Sequence, residues 1–119
     1  MTKLVNLTPH PFVVHTASGP VTIPPSGRVV RATETVVAEE AIEAEIEGRV
    51  VAVPVRRVVL GAPEGLPEAL DEGALYIVSA VARAAILAHR PELAERFVVG
   101  HEPVRDGEGR LVGVAALAR

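Results

Sequence analysis

From residue 42 the chain alternates between apolar and acidic positions. Ile42, Ala44 and Ile46 interleave with Glu43, Glu45 and Glu47, the period of a strand with two unlike faces. Glu47-Gly48 can form a two-residue turn into RVVAVPVRRVVL, residues 49–60. That hairpin sets Ala44 opposite Val51 and Ile42 opposite Val53, all on one face. The segment AEEAIEAEIE (38–47) is also rich in good helix formers, so a helix is the competing reading. The matching faces favour the hairpin. Pro54 cannot donate to a ladder and belongs at an edge or bulge.

The rest of the first half is also β-prone. KLVNLT (3–8), PFVVHTA (11–17), VTI (21–23) and residues 28–37 are separated by Pro9 and by turns at 18–20 and 24–27. GAPEGLPEALDEGA (61–74) is a Pro/Gly-rich loop and the longest break. LYIVS (75–79) is a short strand. Residues 80–89 predict the main helix, with Val81, Ala84, Ala85, Leu87 and Ala88 as its apolar side and Arg90-Pro91 as its stop. PELAERF adds a helical turn, and 97–100 and 102–105 are short extended pieces. Asp106-Gly107-Glu108-Gly109 turns the chain into a last strand, 110–118. These elements predict a β-rich α+β fold over residues 1–119, one domain with one main helix on a mostly antiparallel sheet.

Composition narrows the function classes. Hydrophobic residues make up 49% and charged residues 23%, the balance of a globular chain. The absence of cysteine excludes disulfides, zinc–thiolate sites and cysteine nucleophiles. No signal-like apolar core opens the chain, and no apolar run reaches the roughly 20 residues of a membrane span. A cytoplasmic protein with no membrane partner is expected. The net charge of −3 and the lack of a basic cluster argue against nucleic-acid binding, as do the sparse aromatics. Lys3 is the only lysine beside eleven arginines. That bias fits a GC-rich genome or a thermostable protein from a hot habitat, with anion recognition as the third reading.

NLTPH (6–10), IPPSG (23–27), GLP (65–67), YIVS (76–79), RPEL (90–93) and VRDGEGRLVG (104–113) occur in an order that resembles a family of small uncharacterised proteins. That family is found in bacterial genomes and in phages or prophage regions. The resemblance covers nearly the whole chain. It implies a compact domain and a phage-linked or accessory role, and it brings no site with it.

Five residues are candidate ligand contacts. Ser79, at the strand–helix junction, reads as the helix cap; the sharper alternative is an anion contact or nucleophile at the helix N-terminus. Arg90, Arg105 and Arg110 lie near turns and could together clamp a carboxylate or phosphate. Exposed ion pairs, including Arg110 with Asp106 or Glu108, are the competing reading. His10 lies between two prolines and reads as a turn residue. Asn6, Thr8 and His10 alternate and are expected to bond local backbone around the prolines, with a small polar pocket as the other reading.

No metal or cofactor is expected. His10 and His15 are five apart, which sends their side chains to opposite strand faces. The acidic run Glu39, Glu40, Glu43, Glu45 and Glu47 reads as a solvated face or protected edge; a cation or basic-protein dock is the alternative. The expected function is a non-catalytic binding or assembly module, a homo-oligomer or bound to another protein. A small enzyme or anion-binding domain at Ser79 is the alternative.

Overall fold

In the computed structural model, which describes residues 1–119, eight strands form two sheets, and one α-helix accompanies them. They are β1 (Lys3–Asn6), β2 (Phe12–Thr16), β3 (Gly19–Ile23), β4 (Glu34–Ile46), β5 (Arg49–Leu60), β6 (Ala74–Ile77), α1 (Ala80–His89), β7 (Phe97–Arg105) and β8 (Leu111–Ala118). A 3₁₀ turn, Pro91–Arg96, links α1 to β7. Six strands make a mixed sheet in the order β1-β6-β7-β8-β2-β3, and β4 and β5 pair only with each other. No helix is long and apolar enough to cross a membrane.

The β-rich α+β expectation holds. The long ladders, β4·β5, β7·β8 and β2·β3, are antiparallel. Three junctions are parallel: β1·β6, β6·β7 and β2·β8. The β6·β7 junction follows from the chain order, because β6, α1 and β7 form a strand–helix–strand crossover. That crossover lays α1 on the sheet. Residues 97–105, read as two short pieces, form one strand. Residues 28–33 lie mostly outside strands, and β4 takes up the chain from Glu34.

The buried face of α1 differs from the expected one. Ala82, Ala85 and Ile86 are buried, whereas Val81 and Leu87 are exposed. The helix is rotated so that Arg83 reaches back over the sheet, its Nε donating to the Phe97 carbonyl at 2.9 Å. The small alanines let the helix approach closely. Ala82 and Ile86 join Leu7, Val30, Tyr76, Val78 and Phe97 in the core. The rings of Tyr76 and Phe97 lie 5.5 Å apart.

The six-stranded sheet curls until its outer strands meet. Asn6, at the end of β1, bridges to Pro25 just beyond β3, and the Ser26 N–H donates to the Asn6 carbonyl at 2.9 Å. Loop 61–73 is pinned beside this seam by paired backbone bonds between Arg31 and Glu64. Gly65 passes so close to Val29 that a Cβ there would lie 2.4 Å from the Val29 carbonyl oxygen, and its φ of +87° also suits glycine.

The β4–β5 arm follows the alternation of its sequence. Ala44 pairs with Val51 and Ile42 with Val53, and the Glu47-Gly48 turn has φ of 52° and 78°. Two positive φ angles give a type I′ turn, whose twist matches the strands. Val37 is an extra residue that bulges from β4. The arm stretches the molecule to 56 × 40 × 21 Å with a radius of gyration of 18.1 Å. A compact chain of this length has about 13.5 Å.

Candidate functional site

Ser79 stands where β6 hands over to α1. Its backbone is extended, and its Oγ accepts the Ala82 N–H at 3.1 Å. That bond satisfies one free amide of the first turn, which is the capping role. A hollow of about 310 Å³ opens beside it, with Thr8, Arg31, Thr33 and Glu64 on its walls. None of His10, Arg90, Arg105 or Arg110 lines that hollow.

The other candidates are engaged locally. Arg90 caps the far end of α1 through its N–H to the Ile86 carbonyl, and its guanidinium pairs with Glu92 at 2.7 Å. A helix of this length holds Ser79 and Arg90 about 16 Å apart. At the β7–β8 turn, Arg105 Nη1 donates to the Gly109 carbonyl at 3.0 Å. Arg110 pairs with Asp106 at 3.1 Å and with Glu108 at 2.8 Å. His10 is exposed, and its carbonyl accepts from Asn6 and Thr8. No hydrogen bond or ion pair joins any two of the five. Each guanidinium is occupied within its own turn, so the three do not form a clamp.

The two perturbed carboxylates have the same local origin. The Arg110 and Glu108 backbone N–H groups hold the Asp106 carboxyl below its ordinary value. The Arg90 guanidinium hydrogen-bonded to Glu92 lowers that carboxyl. Neither sits in a cleft.

Asn6 is the one buried polar residue, and its amide is fully used. Nδ2 donates to the carbonyls of His10 at 2.9 Å and Ile23 at 3.0 Å. Oδ1 accepts the Thr8 N–H at 2.9 Å and the Thr8 hydroxyl at 2.7 Å. Asn6, Thr8 and His10 therefore form the local backbone network, at the seam where the sheet closes. His15 Nε2 meets the Val112 carbonyl at 3.3 Å and His89 Nε2 the Leu60 carbonyl at 2.9 Å. No group of three or more histidine and carboxylate side chains is placed to hold a metal ion.

No family model, curated protein or solved structure matches this chain. Its own surface has to carry the functional reading, and the arm is the outstanding part of that surface. On one face lie Ile42, Ala44, Ile46, Val51, Val53 and Val55, by register. Ile42, Ile46 and Val55 are 43–52% exposed on that face, which also carries Arg49 opposite Ile46 and Glu40 opposite Val55. Glu39, Glu43 and Glu45 occupy the opposite face, with Glu39 paired to Arg56 at 3.1 Å. The largest hollow, about 560 Å³, is also on the arm, at Ala38–Glu40 and Val55–Arg57.

Arg83 and Arg96 are positioning residues that the sequence reading passed over. Arg83 also donates to the Ala94 carbonyl at 3.3 Å, and Arg96 ties the Ala74 and Asp71 carbonyls together. The signal was an arginine inside AVARAAILAH, a helix otherwise almost free of charge.

Proposed function

We propose that this chain is a non-catalytic binding and assembly module that docks through the β4–β5 arm. The resemblance to phage and prophage proteins gives that role its setting, as an accessory or structural component. The observation that carries the reading is the exposed apolar face of the arm. A two-stranded ribbon is marginally stable in water by itself. This one keeps 12- and 13-residue strands with aliphatic side chains facing solvent. A contiguous apolar face of this kind marks an interaction surface. The alternative, an enzyme or anion site at Ser79, has no converging side chains behind it.

A photo-crosslinking residue at Ala44, in the full chain expressed in cells, tests the reading. The expected result is a discrete adduct that disappears when Ile42→Glu is added and is absent when the crosslinker sits at Glu108. No adduct from position 44, or one indifferent to Ile42→Glu, overturns it.

A further inference from the structure

We infer that the occupant of the arm's apolar face is a second copy of this chain, its arm laid face to face on the first and pointing the opposite way. The inference rests on the reading of the arm as the docking element, and it adds the partner and the geometry.

Surface area supports a partner of this size. The chain exposes 8189 Å². A globular monomer of its mass exposes about 6,200 Å². The excess, roughly 2,000 Å², is more than the roughly 800 Å² that each partner contributes to a standard interface.

Charge selects the partner and its direction. Read from tip to base, the face carries the pairs Ile46–Arg49, Ala44–Val51, Ile42–Val53, Glu40–Val55 and Ala38–Arg57. Its apolar centre falls between the second and third pairs. A twofold axis through that centre, lying in the interface and across the strands, exchanges the first pair with the fourth. Arg49 then lies over the partner's Val55, one strand from the partner's Glu40. By symmetry this happens twice. Arg57, one pair further down, falls beside the partner's Glu47 at the tip. Stacked sheets lie about 10 Å apart, a gap that an arginine and a glutamate side chain span together. Arms pointing the same way would instead set Arg49 beside the partner's Arg49.

Edge-to-edge pairing is disfavoured by the same residues. Pro54 has no N–H to offer a further strand along β5. Two β4 edges side by side would gather Glu39, Glu43 and Glu45 of both copies on one face. The face-to-face arrangement leaves those glutamates in solvent.

Analytical ultracentrifugation of the purified full chain over a range of concentrations tests this, with circular dichroism and thermal melting to show that each variant is folded. The wild type is expected to dimerise. Arg49→Glu and Glu40→Arg should each raise the dimer dissociation constant by at least about tenfold, and the double exchange should restore much of the loss. A wild type that is monomeric at every concentration overturns self-pairing, while the crosslinking result decides separately whether the arm docks another protein. A dimer unaffected by the single charge reversals overturns the antiparallel arm geometry. A dimer weakened by both singles but not rescued by the double overturns the Arg49–Glu40 pairing.

Discussion

Replacing Asn6 by alanine is the most direct test of how the body of the protein is closed. The substitution removes four hydrogen bonds, two donated to the His10 and Ile23 carbonyls and two accepted from Thr8. Each is worth about 0.5–1.5 kcal/mol net, which puts the sum at roughly 2–6 kcal/mol. Thr8 and Ile23 are only half-buried and His10 is exposed, so water can reach part of what is orphaned. The expected loss is therefore in the lower part of that range, about 2–4 kcal/mol. A chain of this length has an unfolding entropy near 250 cal/mol/K, so the melting temperature should drop by roughly 8–16 °C. The assay is urea and thermal unfolding at one fixed, dilute concentration, because any association would add its own stabilisation.

Asn6→Asp sharpens the test. The shape is kept, but a carboxylate presents only acceptors to two carbonyl oxygens. Burial and those carbonyls disfavour its charged form, outweighing the Thr8 N–H and hydroxyl that favour it at the other oxygen, and raise its folded pKa. Stability should then be greatest below the unfolded carboxyl pKa and fall as pH rises through the raised folded value. A loss under about 0.5 kcal/mol for Asn6→Ala, or a pH dependence of Asn6→Asp no different from the wild type, would refute the role given to this side chain.

Two further expectations follow from the caps and turns. Ser79→Ala should cost about 1 kcal/mol in urea unfolding while Ser79→Asp costs little, since aspartate also caps; equal losses in the two would sink the capping assignment. The depressed carboxyls of Asp106 and Glu92 contribute stability that is present above the ordinary carboxylate range and is lost as pH falls through their lowered folded values. Carboxyl-detected NMR should show the Asp106 midpoint below that of an ordinary aspartate. A normal midpoint would remove the backbone N–H groups of Glu108 and Arg110 as its cause.

The hairpins were legible because their signals are local. Alternation over 42–46, Glu47-Gly48 and Asp106-Gly107-Glu108-Gly109 each specify a period or a turn within a few residues, and the arm's register follows from them. The helix was legible from its composition and from Arg90-Pro91. Its buried face was not, because Ala82 and Ile86 pack on Leu7, Val30, Tyr76 and Phe97 and Arg83 reaches the carbonyls of Ala94 and Phe97, partners that the helix's own sequence does not mark. The parallel junctions were also hidden. β1 meets β6 after some seventy intervening residues, and nothing in either short strand marks its partner. Of the candidate site, Ser79 and the Asn6–Thr8–His10 set behave as their local chemistry suggested. The arginines could only be sorted by distance, because sequence shows that they lie near turns but not that each is satisfied by its own.

The contrast between body and arm connects stability to the proposed function. The body resolves its sheet edges internally: β1 is brought to the end of β3 through Asn6 and Pro25, and α1 covers the crossover. Beyond the His89–Leu60 contact at its base, the arm has no such closure or cover. Ordering a residue costs about 1–2 kcal/mol of backbone entropy, and a ribbon exposed on both faces recovers little of that by burial. On the proposed docking, the amides of β4 and β5 should be the least protected of the long ladders in a dilute monomer and should gain protection on association. The glutamates of the outer face and the arginines at tip and base fit the same logic. They work against indiscriminate pairing of a long apolar ribbon, and the register centred on the apolar pairs brings opposite charges together.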